Sequence, residues 1–343
     1  MRLRRLGRTG LLVSELCLGT NTFGGGDTEM GRQFGGLDQA AVTAVIATAV
    51  EAGVNFIDTA DAYAAGESEQ LIGAALRELK IDRAEIVIGT KAGIRSGPGA
   101  NSLGASRAHL IRALDASLHR LGTDYVDLYM VHVFDPATPL EETLRTLDAQ
   151  VKAGKIRYIG CSNFAAWQVM KALGVSAREG LERFEVIEAQ WSAATRGLER
   201  EVAPMARDQE IGVLVWGALL GGLLSGKFTR EGGGGGQGRT GGTTPPVLSR
   251  DQVFDVVDAL RTVAARRGTT VAQAALAWVL TQKPVTSVLF GARTPEQVAE
   301  NVKATDVSLD PDDLALINGA GEPVLDYGPW VMRDSAARRL PYV

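Results

Sequence analysis

The chain has 343 residues, of which 45% are hydrophobic and 22% are charged, proportions typical of a soluble globular protein with ample material for a core. Its 36 basic and 40 acidic residues are mixed along the chain and give a net charge of −4, which argues against nucleic acid or an anionic membrane as partner. The length is high for one compact domain, but α/β barrels commonly reach it.

Cysteine usage and the absence of targeting signals favour a cytoplasmic location. Cys17 and Cys161 lie in separate strand-like runs and are expected to be buried thiols, not a disulfide framework. The amino-terminal residues lack the apolar region and cleavage site of a signal peptide, and no run is long and apolar enough to span a bilayer. We therefore expect a cytoplasmic protein without a membrane partner.

The first elements are a hairpin and a barrel strand. Residues 1–14 contain two short strand-like runs about a GRTG turn and predict a β-hairpin. Residues 16–20 predict the first barrel strand, and the glycine-rich segment after them has no core pattern. Asp38 is the expected N-cap of a helix that extends to about Ala52.

Strand-like and helical runs then alternate along the chain. This order predicts a closed parallel (β/α)8 barrel, because no early GxGxxG turn marks an open dinucleotide-binding sheet. We expect residues 1–343 to form one domain, with the active site at the carboxyl ends of the strands. The predicted strands span residues 16–20, 54–58, 85–90, 126–131, 156–161, 184–190, 211–216 and 285–289, and the helices span residues 39–52, 67–79, 106–121, 139–153, 164–174, 198–209, 249–267, 270–281 and 295–303.

Two segments fall outside this alternation. Residues 231–246 are rich in glycine and predict a flexible loop after strand seven; a linker between domains is disfavoured because the barrel needs the segments on both sides. The tail from about Asp310 carries Tyr327, Trp330 and Tyr342 and is expected either to pack on the outside, as extra helices or tail, or to wall the substrate opening.

Four polar residues stand at or just after the ends of predicted strands: Asp58, Tyr63, Lys91 and His132. Each alone has an ordinary structural explanation, as a cap, a loop tyrosine, a solvated lysine or a core histidine. Together they suit proton donation to a carbonyl group, because an ammonium beside a phenol stabilises the phenolate. The aspartate would hold the lysine in place, and the histidine would orient the carbonyl oxygen.

The other two histidines, His109 and His119, lie on a predicted helix and are expected at the surface. Because metal sites need clustered ligands, we expect no metal site.

Motifs throughout the chain resemble those of the aldo-keto reductase superfamily. They are NFIDTADAY, IGTKAG, TDYVDLYMVH, GKIRYIGCSNF, the glutamine of VIEAQWS, and GARTPEQVAENVKA, in the family's order. The resemblance implies a barrel closed at the bottom by the hairpin. It also implies reversible reduction of an aldehyde or ketone by NADPH, with Tyr63 as the acid and Asp58, Lys91 and His132 in support.

The resemblance also assigns an NADPH site across the barrel mouth. Ser162, Asn163 and Gln190 would bond the nicotinamide carboxamide, and Trp216 would stack on the ring unless it is a core residue. Arg293 beside a helix start suits a 2′-phosphate, which favours NADP over NAD. The complete set of expected cofactor residues is Gly19, Thr20, Ser162, Asn163, Gln190, Trp216, Gly217, Leu219, Ser225, Lys227, Gly291, Arg293, Gln297 and Asn301.

The sequence departs from the family pattern after strand seven, where it reads WGALLGG, and after Gln190, where it reads WSAATRG. The resemblance therefore does not fix the loop path after strand seven or the pocket wall after Gln190. The expected substrate contacts are Tyr63, His132, Phe23 and Trp191, with Trp167 and Trp330 as further apolar walls that suit a bulky carbonyl compound.

Two other functions stay open. The superfamily includes potassium-channel β-subunits, in which the nucleotide-loaded barrel is a regulatory binding module, and intact site residues do not exclude that function. A barrel lyase or isomerase is disfavoured, because no phosphate-loop pattern for such a substrate stands out.

Overall fold

The computed structural model describes residues 1–26, 36–231, 248–323 and 327–339. The predicted flexible loop 231–246 lies outside the described residues except for Glu231, as do part of the glycine-rich segment after the first barrel strand and Tyr342.

Eight parallel strands close into a barrel, which confirms the predicted (β/α)8 fold. Each barrel strand pairs with the next one along the chain, and the last pairs with the first, so all carboxyl ends meet at one rim. The hairpin strands are β1 (Leu3–Arg5) and β2 (Leu12–Ser14), and the barrel strands are β3 (Leu16–Gly19), β4 (Phe56–Asp58), β5 (Val87–Ala92), β6 (Val126–Val131), β7 (Ile156–Ser162), β8 (Phe184–Gln190), β9 (Gly212–Trp216) and β10 (Val285–Phe290).

The helices surround the barrel and largely follow the predicted ranges. They are α1 (Gln39–Glu51), α2 (Glu67–Glu78), α3 (Arg107–Leu121), α4 (Leu140–Lys152), α5 (Ala166–Glu179), α6 (Val202–Asp208), α7 (Arg250–Arg267), α8 (Val271–Leu280), α9 (Pro295–Val302), α10 (Pro311–Ala320) and α11 (Tyr327–Arg339). Asp38 caps α1 as predicted, because its side chain accepts a hydrogen bond from the backbone N–H of Ala41. None of the described helices is long and apolar enough to cross a bilayer.

One predicted helix end was wrong. Helix α5 continues past Gly174, where it was expected to stop, and ends at Glu179, with Gly180 as its C-cap. A Cβ built on Gly174 would contact nothing within 4 Å, whereas Gly180 adopts φ of +64°, the left-handed conformation that terminates helices. The helix therefore accommodates Gly174 in its interior, and Gly180 terminates it.

Apolar side chains form two clusters separated by the barrel wall. The larger cluster lies between the strands and the surrounding helices. The smaller cluster fills the barrel interior, and it includes Leu6 and Val13 from the hairpin region, both fully buried. Gly7 packs against the backbone at Glu185 and Gly212, near the start of β8 and β9. The hairpin therefore closes the amino-terminal end of the barrel and leaves the opposite rim for ligands.

The carboxyl-terminal residues form the extra helices α10 and α11. Asp310 caps α10, and Asn318 on this helix accepts hydrogen bonds from Trp278 on α8 and from Arg196 in the segment after β8. Its side-chain oxygen accepts from the Trp278 indole at 3.0 Å, and its carbonyl accepts from Arg196 at 3.1 Å. Helix α10 is thus fastened to the outside of the barrel, while Trp330 on α11 is 51% exposed.

The expectation for the cysteines is confirmed, because Cys17 and Cys161 are free and buried. The expectation for His109 is wrong: its side chain is buried on α3, among Leu110, Ala113 and the other apolar residues of that helix face. Burial and the neighbouring Arg112 lower the pKa of His109, so the imidazole is favoured in its neutral form.

Gly73 offers a direct test of helix packing in this barrel. It lies buried on α2, and a Cβ there would collide with the backbone carbonyl of Leu121 at the end of α3. We expect Gly73→Ala to lower the free energy of unfolding by about 1–3 kcal/mol, measured by urea denaturation. The matched control is Gly174→Ala, exposed on α5, which is expected to be neutral or slightly stabilising. Equal stability of Gly73→Ala and the parent would contradict this packing.

Candidate functional site

A cavity of about 770 Å³ opens at the carboxyl-terminal rim of the barrel, a size suited to a cofactor or a small molecule. Its wall contains residues at or just after the ends of nearly all the barrel strands, from Gly19 after β3 to Gly291 after β10. Since the hairpin closes the other end, the cavity is the natural place for chemistry in this fold.

Asp58 and Lys91 form a buried ion pair at the floor of the site. Strands β4 and β5 are neighbours, and the Lys91 Nζ lies 2.6 and 2.5 Å from the two Asp58 carboxylate oxygens. Both side chains are almost completely excluded from water. Burial lowers the pKa of Lys91, but the attraction of Asp58 and Glu188 outweighs burial and raises it well above its usual range. The ammonium therefore stays charged.

Glu188 is a second acidic partner of Lys91 that the sequence interpretation missed. It lies on β8, lines the cavity and is 3% exposed. Its Oε2 atom is 3.0 Å from the Lys91 Nζ, although it accepts no well-aligned hydrogen bond. The sequence could have indicated this residue, because Glu188 lies two residues before Gln190 and therefore on the same face of the same strand.

Tyr63 follows β4 in a tight 3₁₀ turn, Tyr63–Gly66, that leads into α2. Ala64 and Ala65 in this turn adopt φ of +48° and +55°, a left-handed conformation that strains residues with a side chain. The turn directs the Tyr63 ring toward the floor of the site. The Lys91 Nζ lies 5.6 Å from the ring centroid, and the His132 ring lies edge-on at 6.0 Å.

His132 completes the group of four polar residues that the structure brings together. It follows β6, and its backbone N–H donates to the carbonyl of Ala92 at 2.8 Å. Burial, and then repulsion by the Lys91 ammonium, lower the pKa of His132 to about 3. The imidazole is therefore neutral near pH 7 and can donate one hydrogen bond without carrying charge.

The residues expected to hold the carboxamide occupy different depths. Asn163 lines the cavity, and its amide nitrogen donates to Ser162 Oγ and to the His132 carbonyl, each at 3.0 Å. Ser162 and Gln190 are not among the cavity-lining residues, and the Gln190 amide nitrogen donates to Thr195 Oγ1 at 2.5 Å. Trp216 lines the cavity and is 38% exposed, which excludes its interpretation as a core residue.

The other end of the cavity contains two basic residues. Lys227 and Arg293 both line it, and burial followed by repulsion from Arg293 lowers the pKa of Lys227. Thr294 caps α9 because its hydroxyl oxygen accepts from the backbone N–H of Gln297, and the Gln297 side chain accepts from the backbone N–H of Arg293. The remaining expected residues that line the cavity are Gly19, Thr20, Gly217, Leu219, Ser225, Gly291, Gln297 and Asn301.

Phe23 and Trp191, the expected apolar substrate contacts, lie in the core and do not line the cavity. Trp191 is held there because its indole donates to Glu199 at 3.0 Å and its ring packs edge-on against Trp278. Trp167 is 59% exposed and packs against Phe134. Besides Glu188, the cavity wall includes residues that were not expected there: Asn21, Thr22, Ala218, Ala272, Leu289, Phe290, Ala292, Glu296 and Glu300.

The profile of the Aldo/keto reductase family matches residues 15–322. The chain is 35% identical over 323 residues to "Uncharacterized oxidoreductase YrpG" of Bacillus subtilis, with 91% of this chain and 94% of that protein covered. It is 35% identical over 333 residues to "NADH-specific methylglyoxal reductase" of Escherichia coli, with 92% and 97% covered. It is also 35% identical over 323 residues to "Probable voltage-gated potassium channel subunit beta" of Arabidopsis thaliana, with 90% and 92% covered.

The low pKa of His132 predicts its behaviour in solution. We expect its imidazole to stay neutral from about pH 8 down to about pH 5, because protonation would place a second buried positive charge beside Lys91. Carbon-13 NMR of labelled histidine across this range measures it, and His132→Gln identifies the signal by its loss. A His132 signal that titrates near the ordinary histidine pKa would show that the site is wetter than its geometry indicates.

Proposed function

This chain belongs to the aldo/keto reductase family, and we propose that it reduces an aldehyde or a ketone reversibly to the alcohol with NADPH as the hydride donor. The observation that supports this proposal is the convergence of Tyr63, Lys91, Asp58 and His132 at the floor of a cavity of cofactor size. A phenol, a charged ammonium and a neutral imidazole in one partly water-excluded site suit proton donation to a carbonyl oxygen.

The cavity fits a dinucleotide in the chemistry of its lining. Asn163 and Trp216 would hold the nicotinamide end, where an amide can pair with the carboxamide and an indole can stack on the ring. Ser162 would hold the Asn163 side chain in place through the hydrogen bond between them. Gln190 would support the cavity wall at Gly217, because a Cβ added to this glycine would lie only 3.2 Å from Gln190 Cγ. When bound, the reduced nicotinamide supplies the hydride that the carbonyl carbon accepts.

The proton that the carbonyl oxygen needs would come from a side chain of the protein. Tyr63 would donate its phenolic proton to the carbonyl oxygen as the carbon accepts the hydride and its electron pair, which leaves an alcohol and a phenolate. The Lys91 ammonium stabilises that phenolate, and Asp58 keeps the ammonium charged and in place. The neutral His132 would donate a hydrogen bond that orients the substrate oxygen. In alcohol oxidation the same phenolate accepts the proton.

The preference for NADPH is proposed from the charges at the far end of the cavity. Lys227 and Arg293 both line the cavity, and the charge of Arg293 is felt at Lys227, so an anion bound there would be attracted by both groups. A 2′-phosphate is such an anion, and a guanidinium binds it with two parallel hydrogen bonds. The relative from Escherichia coli is described as NADH-specific, so family membership alone does not decide between the two donors.

A second function, a nucleotide-loaded binding module, is favoured by the Arabidopsis relative that is described as a channel β subunit. The geometry of Tyr63 and its neighbours fits both functions, because a binding module can retain the site. Turnover separates them: loss of NADPH absorbance over a panel of aldehydes, ketones and quinones supports the reductase. Tight NADPH binding without turnover on any carbonyl compound would favour the module.

Tyr63→Phe tests the assigned acid. We expect the rate of carbonyl reduction to fall by about 10²–10⁴-fold, because the phenolic proton is lost while the ring remains. NADPH affinity, followed by its fluorescence, should be nearly unchanged. The matched control is Tyr125→Phe, between Arg83 and Arg157 at the amino-terminal end of β6, which should leave both quantities unaltered. Equal losses of turnover and NADPH binding in Tyr63→Phe would count against the assignment.

Arg293→Met tests the choice of nucleotide. Loss of a charge-assisted contact should raise the KM for NADPH by about tenfold to a hundredfold. The KM for NADH should change by less than about threefold, since that nucleotide has no 2′-phosphate to lose the contact. Steady-state kinetics with both donors measure the ratio, and NADH serves as the internal control. Parallel losses with both nucleotides would show that Arg293 does not read the 2′-phosphate.

A further inference from the structure

Lys91 is one buried base between two buried acids. Asp58 on β4 binds it with both oxygens, and Glu188 on β8 approaches from across the barrel to 3.0 Å. All three side chains are at most 3% exposed, so water cannot compensate for the surplus of negative charge. A buried cluster with an uncompensated charge is costly, and uptake of one proton is the usual remedy.

The surplus charge also opposes the proposed chemistry. A phenolate at Tyr63 is stabilised by the ammonium, but a second carboxylate beside that ammonium repels the phenolate. The site is best suited to proton donation when one of the two acids is protonated and the cluster is neutral. Burial raises the pKa of Asp58 well above its usual range, and the charge of Glu188 raises it further against the opposing effect of Lys91.

The other titratable groups around this cluster do not supply or absorb the proton. Cys17 on β3 lies near all three charges, and burial followed by the two carboxylates raises the pKa of its thiol well above the usual range. His132 is neutral at ordinary pH, because burial and Lys91 lower its pKa to about 3. Near neutral pH this leaves Asp58, whose pKa is raised by burial and by the charge of Glu188, as the place for the proton.

We propose that Glu188 is a positioning residue of the proton-donating site: its negative charge beside Lys91 keeps one proton on Asp58, and loss of that proton weakens Tyr63 as an acid. The proposal rests on the proposed reductase function for its kinetic consequence and on the geometry of the cluster for its electrostatic one. It goes beyond the group of four residues by giving Lys91 two interchangeable acidic partners. A simple structural ion pair between Glu188 and Lys91 would have no such effect on Tyr63.

Glu188→Gln separates these alternatives, because the amide has the shape of a protonated carboxyl group and never ionises. Tyr63 should then form its phenolate at a pH lower by about one unit. The ultraviolet absorbance of phenolate measures this on the protein without nucleotide, as the difference between each background with Tyr63 and with Tyr63→Phe. Glu185→Gln is the control on the same strand, since Glu185 pairs with Arg8 and Arg183 away from the cavity.

Kinetics give a second reading of the same change. Alcohol oxidation needs the phenolate, so the rise of kcat/KM with pH should also move about one unit lower in Glu188→Gln. The profile of the control Glu185→Gln should coincide with that of the parent, because Glu185 lies away from the cavity. A pH profile and a phenolate titration of Glu188→Gln that superimpose on those of the parent would overturn the proposal.

Asp58→Asn gives an independent test that does not require the Glu188 variant. If Glu188 can replace Asp58 as the partner of Lys91, carbonyl reduction should fall by less than about tenfold, whereas Asp58→Asn combined with Glu188→Gln should lose more than about a hundredfold. A collapse of activity in Asp58→Asn alone would overturn the exchange of partners. A parent without reductase activity whose Tyr63 titration still shifts in Glu188→Gln would refute the proposed function and leave the electrostatic inference intact.

Discussion

The Lys91 ammonium has no contact with water, so its charge depends entirely on the carboxylates that the barrel brings to it. Asp58 comes from the adjacent strand, but Glu188 comes from β8, which lies three strands further around the sheet than β5. An open sheet would hold these two strands apart. Closure of the barrel is therefore a condition for the charge balance of the site, and not only for its shape.

The position of Tyr63 depends on a second set of constraints around the strained turn. The backbone N–H of Asp61 donates to the carbonyl of Lys91 at 3.0 Å, which links this turn to the strand that carries the ammonium. Glu69, on the following helix, accepts from Thr90 at 2.6 Å and from Arg120 at 2.7 Å. These buried contacts hold the left-handed backbone in place, since a strained turn persists only when its surroundings determine it.

Most of the fold could be predicted from the sequence, because alternation of strands and helices and the turns between them are local properties. The positions of Asp58, Lys91 and His132 followed from the same pattern, since parallel strands end at a common rim. The helical spacing also indicated that His109 is buried, because His109 lies four residues before Ala113 on the apolar face of its helix. Its polar imidazole instead suggested the surface.

The sequence did not predict how deeply individual side chains are buried or which residues distant in the chain contact each other. Alternation along β8 puts Glu188 and Gln190 on one face of the strand, but only the closed barrel shows that Glu188 reaches Lys91 while Gln190 turns to Thr195. Phe23 and Trp191 are aromatic residues near the strand ends, and the sequence alone does not distinguish a pocket wall from a core. Each of these differences depends on contacts between residues that lie far apart in the chain.

The two ends of the cavity differ in their charges and in their exposure to solvent. At the floor, one buried ammonium lies between two buried carboxylates, so one proton more or less would change the strength of Tyr63 as the proposed acid. At the far end, Lys227 and Arg293 are partly open to solvent, and their positive charges can attract an anionic group. Because β4, β5, β6 and β8 build the first end, and the segments after β9 and β10 build the second, the residues at the far end can change while the four polar residues at the floor stay in place. A change of nucleotide preference would then need no change at the floor of the site.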